Sequence, residues 1–83
     1  MIIDVRTKGE YEEGHIKDAK LFDIMEMMNG HFPDVPKNEN IIVYCESGNR
    51  SMIAKSMMEN NGFTNIADGG SIQNMVSCGY TLA

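Results

Sequence analysis

The apolar run at residues 41–44, Ile-Ile-Val-Tyr, is the feature that most constrains the fold of this chain. It shows no polar alternation, as expected of a central strand that is covered on both faces. Periodicity alone does not distinguish such a strand from a buried turn of helix. A strand buried on both faces belongs to a parallel sheet with helices on each side, so this run favours an α/β architecture.

Short segments of strand type and helix type alternate along the rest of the chain. Further strands are predicted at residues 2–5, 20–22 and 65–67, where short apolar segments occur. Residues 31–40 contain both prolines and are predicted to be a connection, and Gly69-Gly70 is predicted to be a turn. The pattern predicts one domain at residues 1–83, with a small, mostly parallel sheet and helices on both faces.

Four helices are predicted from capping residues and apolar spacing. They follow Thr7, Asp23, Ser51 and Ser71 and end near residues 14, 29, 61 and 76. Thr7 and Asp23 each precede a glutamate by three residues, which is a capping-box pattern. After Ser51, apolar residues recur at i, i+1, i+4 and i+5, which indicates an amphipathic helix.

Composition and charge limit the classes of function. The 83 residues are 42% hydrophobic and 23% charged, as in an ordinary globular domain, and no stretch approaches the ~18 apolar residues of a membrane span. A net charge of −5 without a basic run argues against a nucleic-acid partner. Cys45 and Cys78 lack C-x-x-C spacing, which favours free thiols in a reducing compartment. We expect a monomeric cytoplasmic domain with no membrane partner, no signal peptide, no metal and no other cofactor.

Cys45 ends this central strand and is followed by four loop residues and Arg50. Backbone N–H groups at the amino end of a helix are unpaired and, together with the helix dipole, attract negative charge. Helix N-termini and neighbouring arginines also favour the thiolate form of a cysteine. The spacing therefore predicts a nucleophile beside a pocket for an anion. Gly48 supplies the positive φ that a tight loop of converging amides needs.

Three ordered motifs resemble the rhodanese-like sulfurtransferase family over nearly the whole chain. D-V-R at residues 4–6, E-Y at 10–11 and G-H-I-K-D-A at 14–19 are similar to the family's D-V-R, E-[YF] and G-H-I-x-G-A. I-V-Y-C-E-S-G-N-R-S at residues 42–51 resembles its V-x-Y-C-x-x-G-x-R-S loop, and G-F at 62–63 with G-G at 69–70 resembles two later markers. Asp18 stands where glycine is usual, and Met75 stands in place of a usual tryptophan.

The resemblance implies a sulfurtransferase that stores sulfane sulfur as a cysteine persulfide. Cys45 would attack the outer sulfur of a small donor such as thiosulfate, and a thiol, cyanide or protein acceptor would then remove that sulfur. The loop that binds the sulfur would consist of Glu46, Ser47, Gly48, Asn49, Arg50 and Ser51, whose amides act as donors. Arg50 either orients the sulfonate of the donor or braces the loop.

Two other functions are open at this stage. The first is a phosphatase or arsenate reductase of the related cysteine-loop type, which has five residues between cysteine and arginine. This chain has four. The shorter loop forms a smaller ring of amides, which favours binding of a single sulfur atom over binding of a phosphate. A non-catalytic binding or sensing module is the second alternative. The small size, the acidic charge and the missing tryptophan favour it, while an intact Cys45 and Arg50 count against it.

Several other residues are interpreted as structural. Cys78 is predicted to be a small packed hydrophobe, His15 to fix the loop of the opening motif, and Arg6 to pair with Asp4 or Glu10. The eight methionines mostly fall on helical stripes and are predicted to fill the core. Glu46 is expected to repel an anionic donor unless it points to solvent, which argues against fast thiosulfate turnover.

Overall fold

The computed structural model describes residues 1–83, in which four strands and four helices alternate as predicted. The strands are β1 (Ile2–Asp4), β2 (Lys20–Leu21), β3 (Ile41–Cys45) and β4 (Ile66–Ser71). The helices are α1 (Lys8–Glu13), α2 (Ile24–Met28), α3 (Asn49–Asn60) and α4 (Ile72–Ser77). The run at residues 41–44 is therefore strand and not helix. The longest helix has 12 residues, and none combines the length and apolar character of a membrane span.

The four strands form one parallel sheet in the order β2-β1-β3-β4. β3 is an interior strand that pairs with β1 on one side and with β4 on the other. All four carboxyl ends lie at the same edge because the strands are parallel. This edge carries the end of β3, which is Cys45, next to Ser71 of β4.

Helices cover both faces of the sheet, and each face has its own core. The larger core combines one face of β1, β3 and β4 with α2 and α3, and its buried residues are Ile3, Val5, Ile24, Met27, Ile41, Val43, Cys45, Ala54, Met58, Phe63 and Ile66. The smaller core on the other face contains Ile16, Ala19, Tyr44 and Met75 of α4. The prediction of a parallel sheet with helices on both faces is confirmed.

Gly69 and Gly70 lie inside β4, so the prediction of a turn at these residues is wrong. The pairing of β3 with β4 shifts register between Val43 and Tyr44, and the two glycines accommodate this irregularity. Gly70 has a φ of 75°. A Cβ atom at position 69 would lie 2.5 Å from Met75 Sδ and 3.1 Å from the Val43 carbonyl oxygen, so Gly69 permits the close packing of α4 on the sheet.

Asp18 is the only non-glycine residue with positive φ, at 69°. A left-handed conformation costs an L-residue about 1–2 kcal/mol, although aspartate tolerates it better than most. Asp18 stands where the motif that this segment resembles has glycine, and a glycine at this position would relieve the backbone strain.

Cys78 is exposed at the end of α4, so the prediction that it packs in the core is wrong. The prediction for the methionines is only partly correct. Met27, Met58 and Met75 are fully buried, and Met57 packs against the larger core. Met25, Met28 and Met52 are exposed because they lie on the sides of α2 and α3 that face away from the sheet.

The last residues of the chain pair with the segment that follows α1. Ile16 and Leu82 form an isolated antiparallel bridge. The Lys17 amide donates to the Thr81 carbonyl at 2.8 Å, and the Ala83 amide donates to the His15 carbonyl at 2.8 Å. This pairing was not predicted, and it brings the Leu82 side chain to the edge of the sheet that carries Cys45.

Candidate functional site

Cys45 lies at the carboxyl end of β3, where its side chain meets the first turn of α3. Its Sγ accepts hydrogen bonds from the amides of Gly48, at 3.0 Å, and Ser51, at 3.3 Å. Gly48 has a φ of 97°, as predicted, and this conformation turns the chain so that both amides face the sulfur. The helix N-terminus thus offers two donors to negative charge on the Cys45 sulfur.

The other residues of the predicted loop do not contact the sulfur through their amides. Glu46, Ser47 and Asn49 are exposed, and Arg50 is half-buried. The structure therefore assigns only two of the loop amides to Sγ in the present state. That the remaining amides bind the outer sulfur of a persulfide on Cys45 stays a prediction.

Ser51 anchors the start of α3 to the end of β4. Its buried hydroxyl donates to Asp68 Oδ1 at 2.7 Å, and the same oxygen accepts from the Gly70 amide at 2.8 Å. Asp68 thereby fixes the segment that provides the second donor to Sγ. Sequence reasoning missed this residue, although an aspartate directly before a glycine pair is typical of a side chain that bonds its own turn.

Arg50 forms a two-point ion pair with Glu10 of α1. Its Nη1 and Nη2 donate to Oε1 and Oε2 at 2.7 and 2.8 Å. This geometry uses the guanidinium fork on a carboxylate of the protein. The hydrogen bond from Arg50 lowers the pKa of Glu10 to about 2, and the same bond raises the pKa of Arg50. This contact ties the start of α3 to α1, as the bracing role of Arg50 requires, while its role toward a sulfonate stays a prediction.

Arg6 is buried and is held by two carboxylates. Its Nε and Nη2 donate to Asp4 at 2.8–3.1 Å, and its Nη1 donates to Glu46 at 2.9 Å. The hydrogen bonds to Asp4 raise the pKa of Arg6 far above its ordinary value, so the guanidinium stays charged. The predicted pairing of Arg6 with Asp4 is confirmed. Glu46 is exposed over 57% of its side chain, and its carboxylate is at the same time hydrogen-bonded to Arg6, which compensates its charge.

Tyr44 extends this network into the smaller core. Its hydroxyl donates to Asp4 Oδ2 at 2.6 Å and accepts from the Ile16 amide at 3.0 Å. Burial, followed by the bond to Asp4, raises the pKa of Tyr44 well above its ordinary range. The neutral phenol therefore links β1, β3 and the segment after α1.

His15 supports that segment and does not reach the cysteine loop. Its ring stacks on the ring of Tyr11 with centroids 3.7 Å apart, and Nδ1 lies 2.8 Å from the Tyr11 carbonyl oxygen. The predicted structural role of His15 is confirmed.

A cleft of about 390 Å³ lies beside the cysteine loop, between α1 and the start of α4. It is lined by Arg6, Glu10, Glu13, Gly14, Glu46, Ile72 and Leu82. Three of these side chains are carboxylates, and two are aliphatic. No group of three His, Cys, Asp or Glu side chains is placed to hold a metal ion.

A parallel sheet with a cysteine at the end of an interior strand, and helix amides on its sulfur, defines a cysteine-loop α/β domain. The sequence profile of the Rhodanese-like domain matches residues 1–71. The chain is also 30% identical over 76 residues to the thiosulfate sulfurtransferase PspE of Escherichia coli (strain K12), across 88% of this chain and 71% of that protein. This chain belongs to the rhodanese-like family.

Two further similarities bear on the fold and the range of functions. The crystal structure of a rhodanese-like domain from Anabaena sp. superimposes with a TM-score of 0.87 over 100% of this chain and 97% of that one, at 23% identity. The tRNA uridine(34) hydroxylase of Escherichia coli O1:K1 is 33% identical over 85 residues, which are 88% of this chain but 23% of that protein. Sequences similar to this chain thus occur as most of a sulfurtransferase and as about a quarter of a longer protein.

Proposed function

We propose that this domain is a sulfurtransferase that carries sulfane sulfur as a persulfide on Cys45. The observation that supports it most is the pair of amides, from Gly48 and Ser51, that converge on Sγ at the N-terminus of α3. The two donors face the atom that carries the negative charge when a thiolate acts as the nucleophile of sulfur transfer. The similarity to a thiosulfate sulfurtransferase over most of both chains supports the same assignment.

The transfer takes place in two displacements. The Cys45 thiolate attacks the outer sulfur of thiosulfate, so that a bond from Sγ to that sulfur forms. The sulfur–sulfur bond of the donor breaks, and sulfite leaves with its electron pair. An acceptor thiolate or cyanide then attacks the outer sulfur of the persulfide. The bond to Sγ breaks, the Cys45 thiolate is regenerated, and the product is a new persulfide or thiocyanate.

Intact mass spectrometry tests this proposal directly. After incubation with thiosulfate or with a thiosulfonate donor, the protein should gain the mass of one sulfur atom, and dithiothreitol should remove it. Cys45→Ser should not gain sulfur, since a hydroxyl does not ionise at neutral pH. Cys78→Ser is the matched control and should gain sulfur normally, because Cys78 lies exposed at the end of α4.

A non-catalytic binding module is a second candidate, and one observation favours it. Cys45 has no exposed surface, and Arg50 is committed to Glu10. A protein that gains no sulfur from any donor, although its fold is intact, would support this candidate over sulfur transfer.

A phosphatase or arsenate reductase is less compatible with the loop. Four residues separate Cys45 from Arg50, and only two amides face the sulfur. We therefore expect no hydrolysis of p-nitrophenyl phosphate. Turnover of that substrate that is lost in Cys45→Ser would support the phosphatase instead.

The proposed reaction partners are a small sulfur donor and a thiol, cyanide or protein acceptor. Both cysteines are free thiols, which fits a reducing environment, and we propose the cytoplasm as the compartment. We further propose that the domain acts as a monomer. Sedimentation of the purified protein, with and without a donor, measures this state.

A further inference from the structure

Both arginines next to the cysteine loop are occupied by carboxylates of the protein. Arg50 donates from Nη1 and Nη2 to the two carboxylate oxygens of Glu10. Arg6 gives Nη1 to Glu46 and its other donors to Asp4 and a backbone carbonyl. The Nη end of Arg50 is therefore occupied and its charge is compensated, although its Nε edge has no protein partner, and Arg6 keeps a single N–H on Nη1 for an incoming sulfonate.

The cleft beside the loop has an excess of negative charge. Asp4, Glu10 and Glu46 are paired with the two arginines, so these five groups together leave one negative charge uncompensated. Glu13 also lines the cleft and has no ion-pair partner. A dianion such as thiosulfate enters this environment against electrostatic repulsion.

On the basis of the sulfurtransferase function above, we propose that Glu10 and Glu46 are specificity-determining residues that compensate the charge of Arg50 and Arg6 and so weaken the attraction of both arginines for an anion. The site consequently prefers sulfur donors without net charge, such as a thiosulfonate that carries an ammonium group. The aliphatic edge of the cleft, formed by Ile72 and Leu82, suits the carbon chain of such a donor.

Three donors separate the effect of charge from the chemistry of transfer. 2-Aminoethanethiosulfonate has no net charge, ethanethiosulfonate has one negative charge, and thiosulfate has two. In each case the Cys45 thiolate takes the outer sulfur, the sulfur–sulfur bond of the donor breaks, and sulfinate or sulfite leaves with the electron pair. The intrinsic reactivity of each donor cancels when a variant is compared with the wild type on the same donor.

The experiment measures kcat/KM for the three donors with wild type, Glu10→Gln and Glu46→Gln. Each substitution removes the charged partner of one arginine, Arg50 or the Nη1 group of Arg6, so kcat/KM for thiosulfate should rise about fivefold, mainly through a lower KM. The gain should be smaller for ethanethiosulfonate and less than about twofold for the uncharged donor. Glu10→Gln preserves the capping box, because glutamine also serves at that position. Circular dichroism confirms that each variant is folded.

Glu13→Gln is the matched control, because it removes the same charge from the same cleft without freeing an arginine. Its gain with thiosulfate should stay below half of that of Glu10→Gln. An equal gain would overturn the proposal, since net charge alone would explain it. The proposal would also be overturned if the ratio of variant to wild-type kcat/KM were the same for all three donors. That result would leave sulfur transfer itself intact. If no donor loads Cys45, both the proposed function and this inference are wrong.

Discussion

Asp68 accepts a hydrogen bond of 2.7 Å from the buried hydroxyl of Ser51 and so joins the end of β4 to the first turn of α3. The amide of the same serine donates to Cys45 Sγ at 3.3 Å. The position of the second donor on the sulfur therefore depends on a carboxylate that does not itself contact the sulfur.

We expect Asp68→Ala to reduce stability by about 1–2 kcal/mol, because the buried Ser51 hydroxyl loses its charged partner. Alkylation of Cys45 by iodoacetamide should become faster, because Cys45 has no exposed surface and reacts only when this segment opens, which loss of the bond between Ser51 and Asp68 favours. Urea denaturation and the alkylation rate of Cys78→Ser variants measure the two effects. Asp68→Asn keeps an acceptor oxygen and should stay close to wild type. Asp68→Ala with unchanged stability and alkylation would show that Asp68 does not position Ser51.

Removal of the Tyr44 hydroxyl should destabilise the fold without changing its shape. In Tyr44→Phe, the Ile16 amide and one Asp4 oxygen lose a buried partner, which costs about 1–3 kcal/mol. Tyr80→Phe is the control, because that hydroxyl forms no hydrogen bond and its change should stay within about 0.5 kcal/mol. Urea unfolding monitored by circular dichroism gives both values, and equal midpoints for the two variants would contradict this account of Tyr44.

The pair between Glu10 and Arg50 should stabilise the fold in a pH-dependent way. The pKa of Glu10 falls from an ordinary value of 4.5 to about 2 in the folded state. Its contribution is therefore complete above pH 4.5 and is lost as the pH falls through about 2. We expect the wild type to be more stable than Glu10→Gln at neutral pH. This difference in stability should shrink as the pH falls from 4.5 to about 2. Urea midpoints of both proteins across this range test it, and a constant difference would be inconsistent with the pair.

Asp18→Gly should stabilise the protein by about 0.5 kcal/mol. Glycine relieves the strain of the positive φ, while its greater freedom in the unfolded chain removes part of the gain. Asp18→Val should instead destabilise the fold, because a β-branched residue is strongly disfavoured in this conformation. Thermal unfolding of the two variants provides the measurement. A lower melting temperature for Asp18→Gly would mean that the Asp18 side chain stabilises the loop.

The sequence was sufficient to predict the parts of the site that depend on local chemistry. An apolar run followed by a cysteine and a glycine placed Cys45 at the end of an interior strand, with Gly48 at positive φ, as the structure has them. The order of capping residues also predicted the alternation of strands and helices. These features depend on neighbours in the chain, so local patterns were enough.

Two ion pairs of the site could not be predicted, because each joins residues that are 40 positions apart. Arg50 meets Glu10, and Arg6 meets Glu46, only because α1 and the cysteine loop lie at the same edge of the sheet. Neither pairing has a signature in sequence spacing. The exposed methionines were missed for a related reason. Met25 and Met52 lie in predicted helices, but the sequence does not show that they lie on the sides of α2 and α3 that face away from the sheet.

The contact between Gly69 and Met75 makes these two positions dependent on each other during evolution. With Met75 in place, even a methyl group at position 69 collides with its sulfur and crowds a backbone oxygen of β3. Retraction of Met75 from its buried site would relieve only the first of these conflicts. A larger residue at position 69 therefore requires a different rotamer of Met75 or a smaller residue at position 75, together with a small shift of the neighbouring strand. Substitutions along this stretch of the chain are thereby restricted, even though neither side chain touches the cysteine.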